Sequence, residues 1–111
     1  MAYAKIELFN SELQVCAGLY KALAHPARLA ILKYLADSRT CIAGDFAFEL
    51  PLSRTTVSQH LRELRNAGLI ISAVKGAKTY YCLNAEKIKE LEELSQKFLY
   101  GINIPINYDC K

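Results

Sequence analysis

The sequence predicts a mainly α-helical fold with one small β-hairpin. A stretch with helical periodicity starts at Ser53 and stops at Gly68. Two β-rich segments, 69–74 and 78–83, follow at once and flank a turn that contains Gly76. Further amphipathic stretches lie on both sides of this unit, so helices should make up most of the remaining chain.

The first half of the chain predicts two helices separated by a proline. Ser11 opens a capping-box pattern, S-E-L-Q, which predicts a helix to about Ala24. Pro26 is suited to a first helical position and predicts a second helix to Ala36, followed by an exit loop over 37–40. Its inward residues are expected to be Leu29, Leu32 and Leu35, with Ile31 beside them.

A helix-turn-helix is predicted next. A short helix should cover about 42–50 and close at Pro51, with Phe46 and Leu50 on its apolar side. Ser53 is a good N-cap for the second helix, and Gly68 can end it in a left-handed conformation. Because the β-hairpin follows directly, the fold class is a winged helix-turn-helix whose second helix is the DNA reader.

The C-terminal part predicts a long amphipathic helix and an arm. Asn84 is the expected N-cap, Gly101 the expected stop, and the apolar stripe is Ile88, Leu91, Leu94 and Phe98. The tail 102–108 alternates apolar and polar residues, which predicts an extended arm that carries Cys110 about 30 Å from Gly101. The first and last helices have more apolar surface than one small domain uses, so we expect them to join a homodimer.

The predicted reader helix has one aliphatic side and one polar side. Val57, Leu61 and Leu64 form the inward stripe. The outward side chains are of types that read base edges or hold phosphates, whereas an ordinary solvated face would more often carry Glu and Lys pairs. With the wing lysines, the candidate DNA-binding residues are Ser53, Arg54, Thr55, Ser58, Gln59, Arg62, Arg65, Asn66, Lys75 and Lys78.

Positive charge is concentrated in the same segment. Residues 53–78 carry five Arg and Lys side chains and one acid, a net charge of +4, while the whole chain carries +3. The rest of the chain therefore sums to −1. A basic patch on otherwise near-neutral protein is typical of a nucleic-acid surface.

Length and composition indicate one domain. The chain has 111 residues, of which 52% are hydrophobic, so a real core is available. We expect residues 1–111 to form a single domain, with 1–24 and 84–111 as dimerisation elements and 40–83 as the helix-turn-helix and wing. Four cysteines are too few for a disulfide scaffold, and neither a leader nor a membrane-length apolar run is seen, which predicts a cytoplasmic protein with reduced thiols.

Three motifs stand out in the chain: KALAHPARLAILKYL (21–35), LSRTTVSQHLRELRNAGLI (52–70) and KTYYCL (78–83). With these motifs the chain resembles, over nearly its whole length, the ArsR/SmtB family of winged-helix repressors. The resemblance implies a homodimer joined by its first and last helices, with two reader helices placed on a palindromic operator in double-stranded DNA. It also implies repression that is relieved when an effector binds.

The resemblance leaves the effector open. Members of the family that sense metals use a Cys-x-Cys pair or a His-containing site on the last helix. This chain has Cys41-Ile42-Ala43 instead, and 84–100 contains no histidine. The remaining candidates for a soft metal or metalloid, or for thiol oxidation, are Cys41, Cys110 and Cys16, with a Cys41–Cys110 disulfide as one reading. Cys82 is expected to be packed in a wing strand.

The same residues leave other functions open. A winged-helix module could use the basic face on an acidic protein partner, or the regulator could work without any effector. A thiol-based enzyme is disfavoured because no Cys-x-x-Cys and no base near a cysteine is present. His25 and His60 are expected to pack or to form hydrogen bonds, and Asp45 and Glu49 lack a nucleophile or base partner. No catalytic constellation is predicted.

Overall fold

The computed structural model describes residues 5–6, 8–43 and 51–109. The elements are α1 (Ser11–Leu23), α2 (Pro26–Ser38), β1 (Ile42–Ala43), α3 (Arg54–Asn66), β2 (Ile70–Lys75), β3 (Lys78–Leu83) and α4 (Ala85–Gly101). This order of helices and a hairpin is the winged helix-turn-helix that the sequence predicted. Among the described residues, no helix has the length and apolar character needed to cross a membrane.

The three strands form an antiparallel sheet in the order β1-β3-β2. Strands β2 and β3 pair from Ile70 opposite Leu83 to Lys75 opposite Lys78. The two residues between them form the turn, and Gly76 takes a positive φ of 64° that few other residues adopt readily. The hairpin prediction is confirmed, with a turn one residue shorter than the sequence suggested.

Strand β1 corrects the prediction of a helix from residue 42. Ile42 and Ala43 are extended and pair with Tyr81 and Tyr80 of β3. The edge of β3 offers these residues backbone hydrogen-bond partners that lie far away in sequence. The local periodicity of residues 42–50 cannot indicate such partners. Residues 44–50, which include Phe46, Leu50, Asp45 and Glu49, lie outside the described part of the chain.

A disulfide bond joins Cys41 to Cys82, across 41 positions of sequence. The register explains it: because Ile42 lies opposite Tyr81, Cys41 lies opposite Cys82 on the neighbouring strand. Cys41 therefore precedes a strand and does not begin a helix. Cys82 lies in a wing strand as predicted, but it is bonded there to Cys41, which the sequence did not indicate. This bond excludes the Cys41–Cys110 disulfide, which was one of the open readings, and the expectation of reduced thiols is wrong for Cys41 and Cys82. Cys110 itself is outside the described residues.

The helix starts differ in part from the sequence prediction. Asn10, and not Ser11, is the N-cap of α1, since its Oδ1 accepts hydrogen bonds from the amides of Glu12 (2.8 Å) and Leu13 (3.3 Å). The observed N-cap therefore lies one residue before the start of the predicted capping box. For α2, the His25 ring is the N-cap, and its Nδ1 accepts from the amide that follows Pro26 at 3.0 Å.

The inward face of α2 is also shifted. Ala27, Ile31 and Leu35 are buried, whereas Leu29 is 53% exposed. These buried residues lie four apart, which places one above the next on a helix. The helix runs to Ser38, so the predicted exit loop is reduced to Arg39 and Thr40.

One core cluster joins the helices to the sheet. Its members come from α1, α2, α3, the residue before β2, and β2. They are Leu19, Ala22, Ile31, Leu35, Val57, Leu61, Leu64, Leu69 and Ile70. Helix α4 has no buried residue and packs on this cluster through Ile88, Leu91 and Leu94, which are only partly buried. The core is therefore centred on α3, and α4 lies at its margin.

The C-terminal segment is bent and does not form the extended arm that was predicted. Helix α4 includes Gly101 and is capped by Ile102. Beyond it, the amide of Tyr108 donates to the carbonyl of Pro105 at 3.0 Å and closes a turn. Pro105 fixes its own φ and so favours such a turn over a continuous strand.

Candidate nucleic-acid interface

Both ends of α3 are fixed by local hydrogen bonds. Ser53 is the N-cap, and its Oγ accepts from the amide of Thr56 at 3.2 Å. At the other end Gly68 has φ 81°, its amide donates to Arg65, and the amide of Leu69 donates to the carbonyl of Leu64 at 3.0 Å. This pair of bonds is a Schellman motif. The length of the helix is therefore set by the residues that the sequence singled out.

The aliphatic side of α3 fixes its rotation. Val57, Leu61 and Leu64 are between 0% and 3% exposed and belong to the central core cluster. Burying three branched side chains contributes about 1.5–3 kcal/mol each. Rotation of α3 about its axis would expose these side chains and lose most of this stabilisation. The opposite, polar face of α3 is therefore held toward solvent.

The eight candidate DNA-binding residues of this segment are all exposed, namely Ser53, Arg54, Thr55, Ser58, Gln59, Arg62, Arg65 and Asn66. In this set only Ser53 has a side-chain bond, to the amide and hydroxyl of Thr56. Over the described ranges, no ion pair or hydrogen bond engages the three arginine side chains. The donors and acceptors of this face are therefore available to a ligand.

His60 holds α3 to α2 on the flank of the buried stripe. It is 8% exposed, and its Nδ1 accepts from Nε of Arg28 at 3.1 Å. The same guanidinium donates to the carbonyls of Ala22 (3.2 Å) and Lys21 (3.4 Å) at the end of α1. Arg28, on α2, thus connects three helices. It holds α3 through His60, which is on the buried side of α3, so the exposed side of α3 is not involved.

The protonation of His60 follows from these contacts. Since Nδ1 accepts a hydrogen bond, the neutral ring carries its proton on Nε2, which is buried and has no partner among the described residues. Burial lowers the pKa of His60 below its ordinary value of 6.5, and the neighbouring charges of His25 and Arg28 lower it further. The rings of His25 and His60 lie 4.3 Å apart. The prediction that the two histidines pack or form hydrogen bonds is confirmed, since His25 accepts from a backbone amide and His60 is buried and accepts from Arg28.

The wing presents its two candidate lysines at the hairpin tip. Lys75 and Lys78 face each other across the turn, and both are exposed. Nζ of Lys75 lies 5.8 Å from the centre of the Tyr80 ring, a cation–π distance that restrains the lysine without neutralising it. Two positive charges therefore project from the end of the sheet that follows α3.

Comparison with known proteins gives the same fold and a family. Residues 25–72 match the model of bacterial regulatory proteins of the arsR family. The HTH-type transcriptional regulator CmtR of Mycobacterium tuberculosis is 39% identical over 84 residues, covering 75% of this chain and 70% of CmtR. The transcriptional activator HlyU of Vibrio cholerae is 36% identical over 85 residues, or 77% of this chain and 78% of HlyU.

The solved structures of these two relatives superpose on the chain. HlyU gives a TM-score of 0.65 at 30% identity, over 81% of this chain and 97% of HlyU. The NMR structure of CmtR, described as a cadmium metal-sensor, gives 0.53 at 34% identity, over 86% and 95%. This chain belongs to the ArsR family. It is a transcriptional regulator of that family, with the DNA-binding fold that the family uses.

The cysteines of this ArsR-family regulator do not assemble into a metal site in the part of the structure that is described. No group of three or more His, Cys, Asp or Glu side chains gathers within residues 5–6, 8–43 and 51–109. Cys16 is a buried free thiol in α1, while the sulfur of Cys41 is bonded to Cys82. The thiol candidates of the sequence are therefore separated into one core residue, one oxidised residue, and Cys110 in the undescribed tail.

Two residues that hold this region together are not recognisable from the sequence. Arg28 lies in an amphipathic helix where nothing distinguishes it from an ordinary surface cation, because its partners come from α1 and α3. The partner of Cys82 is 41 residues away, so no local pattern marks this cysteine as bonded. The signal that would pair the two cysteines is the presence of β1 as a strand beside β3.

Proposed function

We propose that this ArsR-family regulator is a homodimeric, sequence-specific repressor that binds a palindromic operator through α3 and the wing. The observation that carries the proposal is the division of α3, whose aliphatic side is in the core while every candidate reading side chain is exposed. Arg62 is suited to guanine, Gln59 and Asn66 to adenine, and Ser58 or Thr55 to either. The remaining arginines and the wing lysines are suited to phosphates, which position the protein without reading sequence.

A dimer is supported by apolar surface on the first and last helices. A groove of about 440 Å³ beside α1 is lined mainly by Ile6, Phe9, Leu13 and Ala17. On α4, Leu99 is 57% exposed, and the residues beyond it continue the apolar surface. Exposed apolar area of this extent is typical of an interface. A two-fold dimer presents two copies of α3, and these fit half-sites about 34–36 Å apart in successive major grooves.

Repression follows from occupancy. A dimer that covers two turns of a promoter excludes polymerase from it, and no further activity is needed. Occupancy can also raise expression where the protein displaces another repressor, so the name of HlyU as an activator does not oppose the same DNA-binding mode. We place the protein in the cytoplasm, where its operator is.

The effector is proposed to act on thiols. CmtR is described as a cadmium sensor, which fits a thiophilic effector for the family. In this chain Cys41 is engaged with Cys82, and a soft metal would need that bond reduced before the sulfur could ligate. Oxidation and reduction of thiols is therefore the better supported effector chemistry, and binding of a soft metal or metalloid is the second.

The test is selection followed by binding measurements. Duplexes selected from a random-sequence library by the purified full chain should share a two-fold symmetric consensus. In fluorescence anisotropy on that consensus, Arg62→Ala and Gln59→Ala should each weaken binding by about 5- to 150-fold, since a good base contact contributes about 1–3 kcal/mol. Loss of a phosphate contact such as Lys78→Ala should weaken all sequences alike and reduce the salt slope by about 1.

Lys33→Ala is the matched control, because Lys33 is an exposed cation on α2 and is not one of the candidate DNA-binding residues. It should bind as the parent does. Parent-like binding by both Arg62→Ala and Gln59→Ala would reject the assignment of the reading face. If no consensus emerges and random duplex binds as well as any selected one, the protein is better described as a basic interaction module.

A further inference from the structure

We propose that the Cys41–Cys82 disulfide and the cavity beside it form a thiol–disulfide exchange site for small anionic thiols. The bond joins the residue that precedes β1 to the last but one residue of β3, the central strand of the sheet. Its opening would release β1 from β3, and this regulatory consequence rests on the DNA-binding function proposed above. The exchange chemistry itself does not depend on DNA.

The cavity lies directly against the bond. Its volume is about 270 Å³, and its lining includes both cysteines, the aliphatic side chains of Leu35 and Leu83, and the polar residues Arg39 and Thr40. No acidic side chain lines it. A cavity of this size holds part of a small peptide thiol, and its charge favours a carboxylate over a cation.

Arg39 supplies that charge from a constrained backbone. It follows the last residue of α2 with φ 56°, the left-handed region, and is the one non-glycine residue with positive φ in the described ranges. Such a conformation costs about 1–2 kcal/mol for an L-residue, so the surrounding structure must hold it. No hydrogen bond or ion pair engages its guanidinium in the described chain. It is therefore free to pair with a carboxylate, in bidentate fashion.

The two cysteines of the bond differ in exposure. Cys41 is exposed and Cys82 is half-buried. An incoming thiolate therefore attacks Sγ of Cys41, forms a new S–S bond to it, and expels the Cys82 thiolate. A second thiol attacks the mixed disulfide, and the products are the free Cys41 thiolate and the oxidised small thiol. The net reaction reduces one protein disulfide and oxidises two small thiols, with protons exchanged with water. The reverse reaction uses the oxidised small thiol as the oxidant.

The position of the bond gives it mechanical consequence. Strand β1 has two residues and two paired positions, Ile42 with Tyr81 and Ala43 with Tyr80. A pairing this short is marginal in water without a further link. The chain after Ala43 leads to α3, while β3 pairs with β2, which carries Lys75. The disulfide thus ties the residue before β1 to strand β3 of the wing, and reduction should let β1 separate from β3.

The first experiment measures exchange without DNA. The oxidised full chain is mixed with glutathione, or with the uncharged 2-mercaptoethanol, and quenched samples are alkylated and weighed by mass spectrometry. Arg39→Gln should slow reaction with glutathione by about threefold to tenfold and leave reaction with 2-mercaptoethanol unchanged, because a local cation raises the concentration of an anion near it. Arg39→Lys should restore the glutathione rate, and Lys33→Ala should not alter it. Equal slowing with both thiols would overturn the role of Arg39.

The second experiment measures DNA binding in each redox state. The oxidised chain should bind the selected consensus more tightly than the reduced chain by about 5- to 150-fold, the usual range for a coupled equilibrium. Cys82→Ser should abolish the difference, and Cys16→Ser and Cys110→Ser should preserve it. If the difference persists in Cys82→Ser and disappears in Cys110→Ser, the bond described here is not the switch. Absence of DNA binding in both redox states would refute the proposed function. The exchange site would then be tested by the rates of the first experiment alone.

Discussion

Gly68→Ala tests whether the end of the reader helix depends on a left-handed residue. Gly68 has φ 81°, and a Cβ added there would lie 3.1 Å from Cε of Lys87. The left-handed conformation costs an L-residue about 1–2 kcal/mol. The contact with Lys87 adds little, since the far end of a flexible side chain can move. The ion pair of that lysine with Glu90 at 2.9 Å is partly exposed and contributes at most about 1 kcal/mol.

We therefore expect Gly68→Ala to lower the free energy of unfolding by about 1–2 kcal/mol, mostly through backbone strain. The matched control is Gly101→Ala. That glycine lies in α4, lacks a positive φ, and has open space where a Cβ would be. Alanine there should be neutral or stabilise by up to about 1 kcal/mol. Urea unfolding followed by circular dichroism at 222 nm measures both. A Gly68→Ala variant as stable as Gly101→Ala would refute the argument from φ.

Two other predictions concern stability. Reducing the Cys41–Cys82 bond opens a loop of 41 residues, and chain entropy alone predicts a loss of about 4 kcal/mol, seen as a lower urea midpoint with reductant. Cys82→Ser should show no reductant effect; a persisting effect would assign it to another cysteine. The lowered pKa of His60 predicts that stability falls as pH drops below about 6.5, because the folded state resists protonation that the unfolded state accepts. His60→Asn, whose Oδ1 can accept from Arg28, should lose less between pH 7.5 and 5.5, and an equal loss in both proteins would exclude His60 as the cause.

The reader helix was predictable because its determinants are local. Ser53 caps within three residues, and Gly68 ends the helix through bonds that reach back no farther than Leu64. The aliphatic positions repeat at helical spacing, so the buried and exposed faces follow from periodicity. Such features are written in one short stretch of chain. The side-chain chemistry of that face supports the proposed DNA binding, which the operator measurements test.

The wrong predictions concern residues whose structure depends on partners far away in the sequence. Ile42 and Ala43 have few residues and no periodicity of their own, and they become a strand because β3 offers an edge. The Cys41–Cys82 bond follows from that pairing, so an error about β1 became an error about the cysteines. The spacing of three leucines at i, i+3 and i+6 predicts Leu29 on the inward face, but residues at this spacing drift around a helix, and Leu29 is exposed. The residues that are buried, Ile31 among them, follow the i, i+4 ridge that packs on α3.

The junction after α3 shows how the reader helix is held relative to the last helix. The amide of Asn84 donates to the carbonyl of Leu69 at 3.0 Å, and its side-chain Nδ2 donates to the carbonyl of Gly68 at 2.9 Å. The Oδ1 of the same residue accepts from the amide of Lys87 in the first turn of α4. One asparagine therefore caps α4 and binds the residues that end the reader helix. Because the hairpin leaves from Ile70 and returns at Leu83, opposite each other, its length does not alter this junction. The direction of α3 relative to α4 is thus set at the base of the wing, and a dimer formed through α4 would place its two reader helices through these bonds.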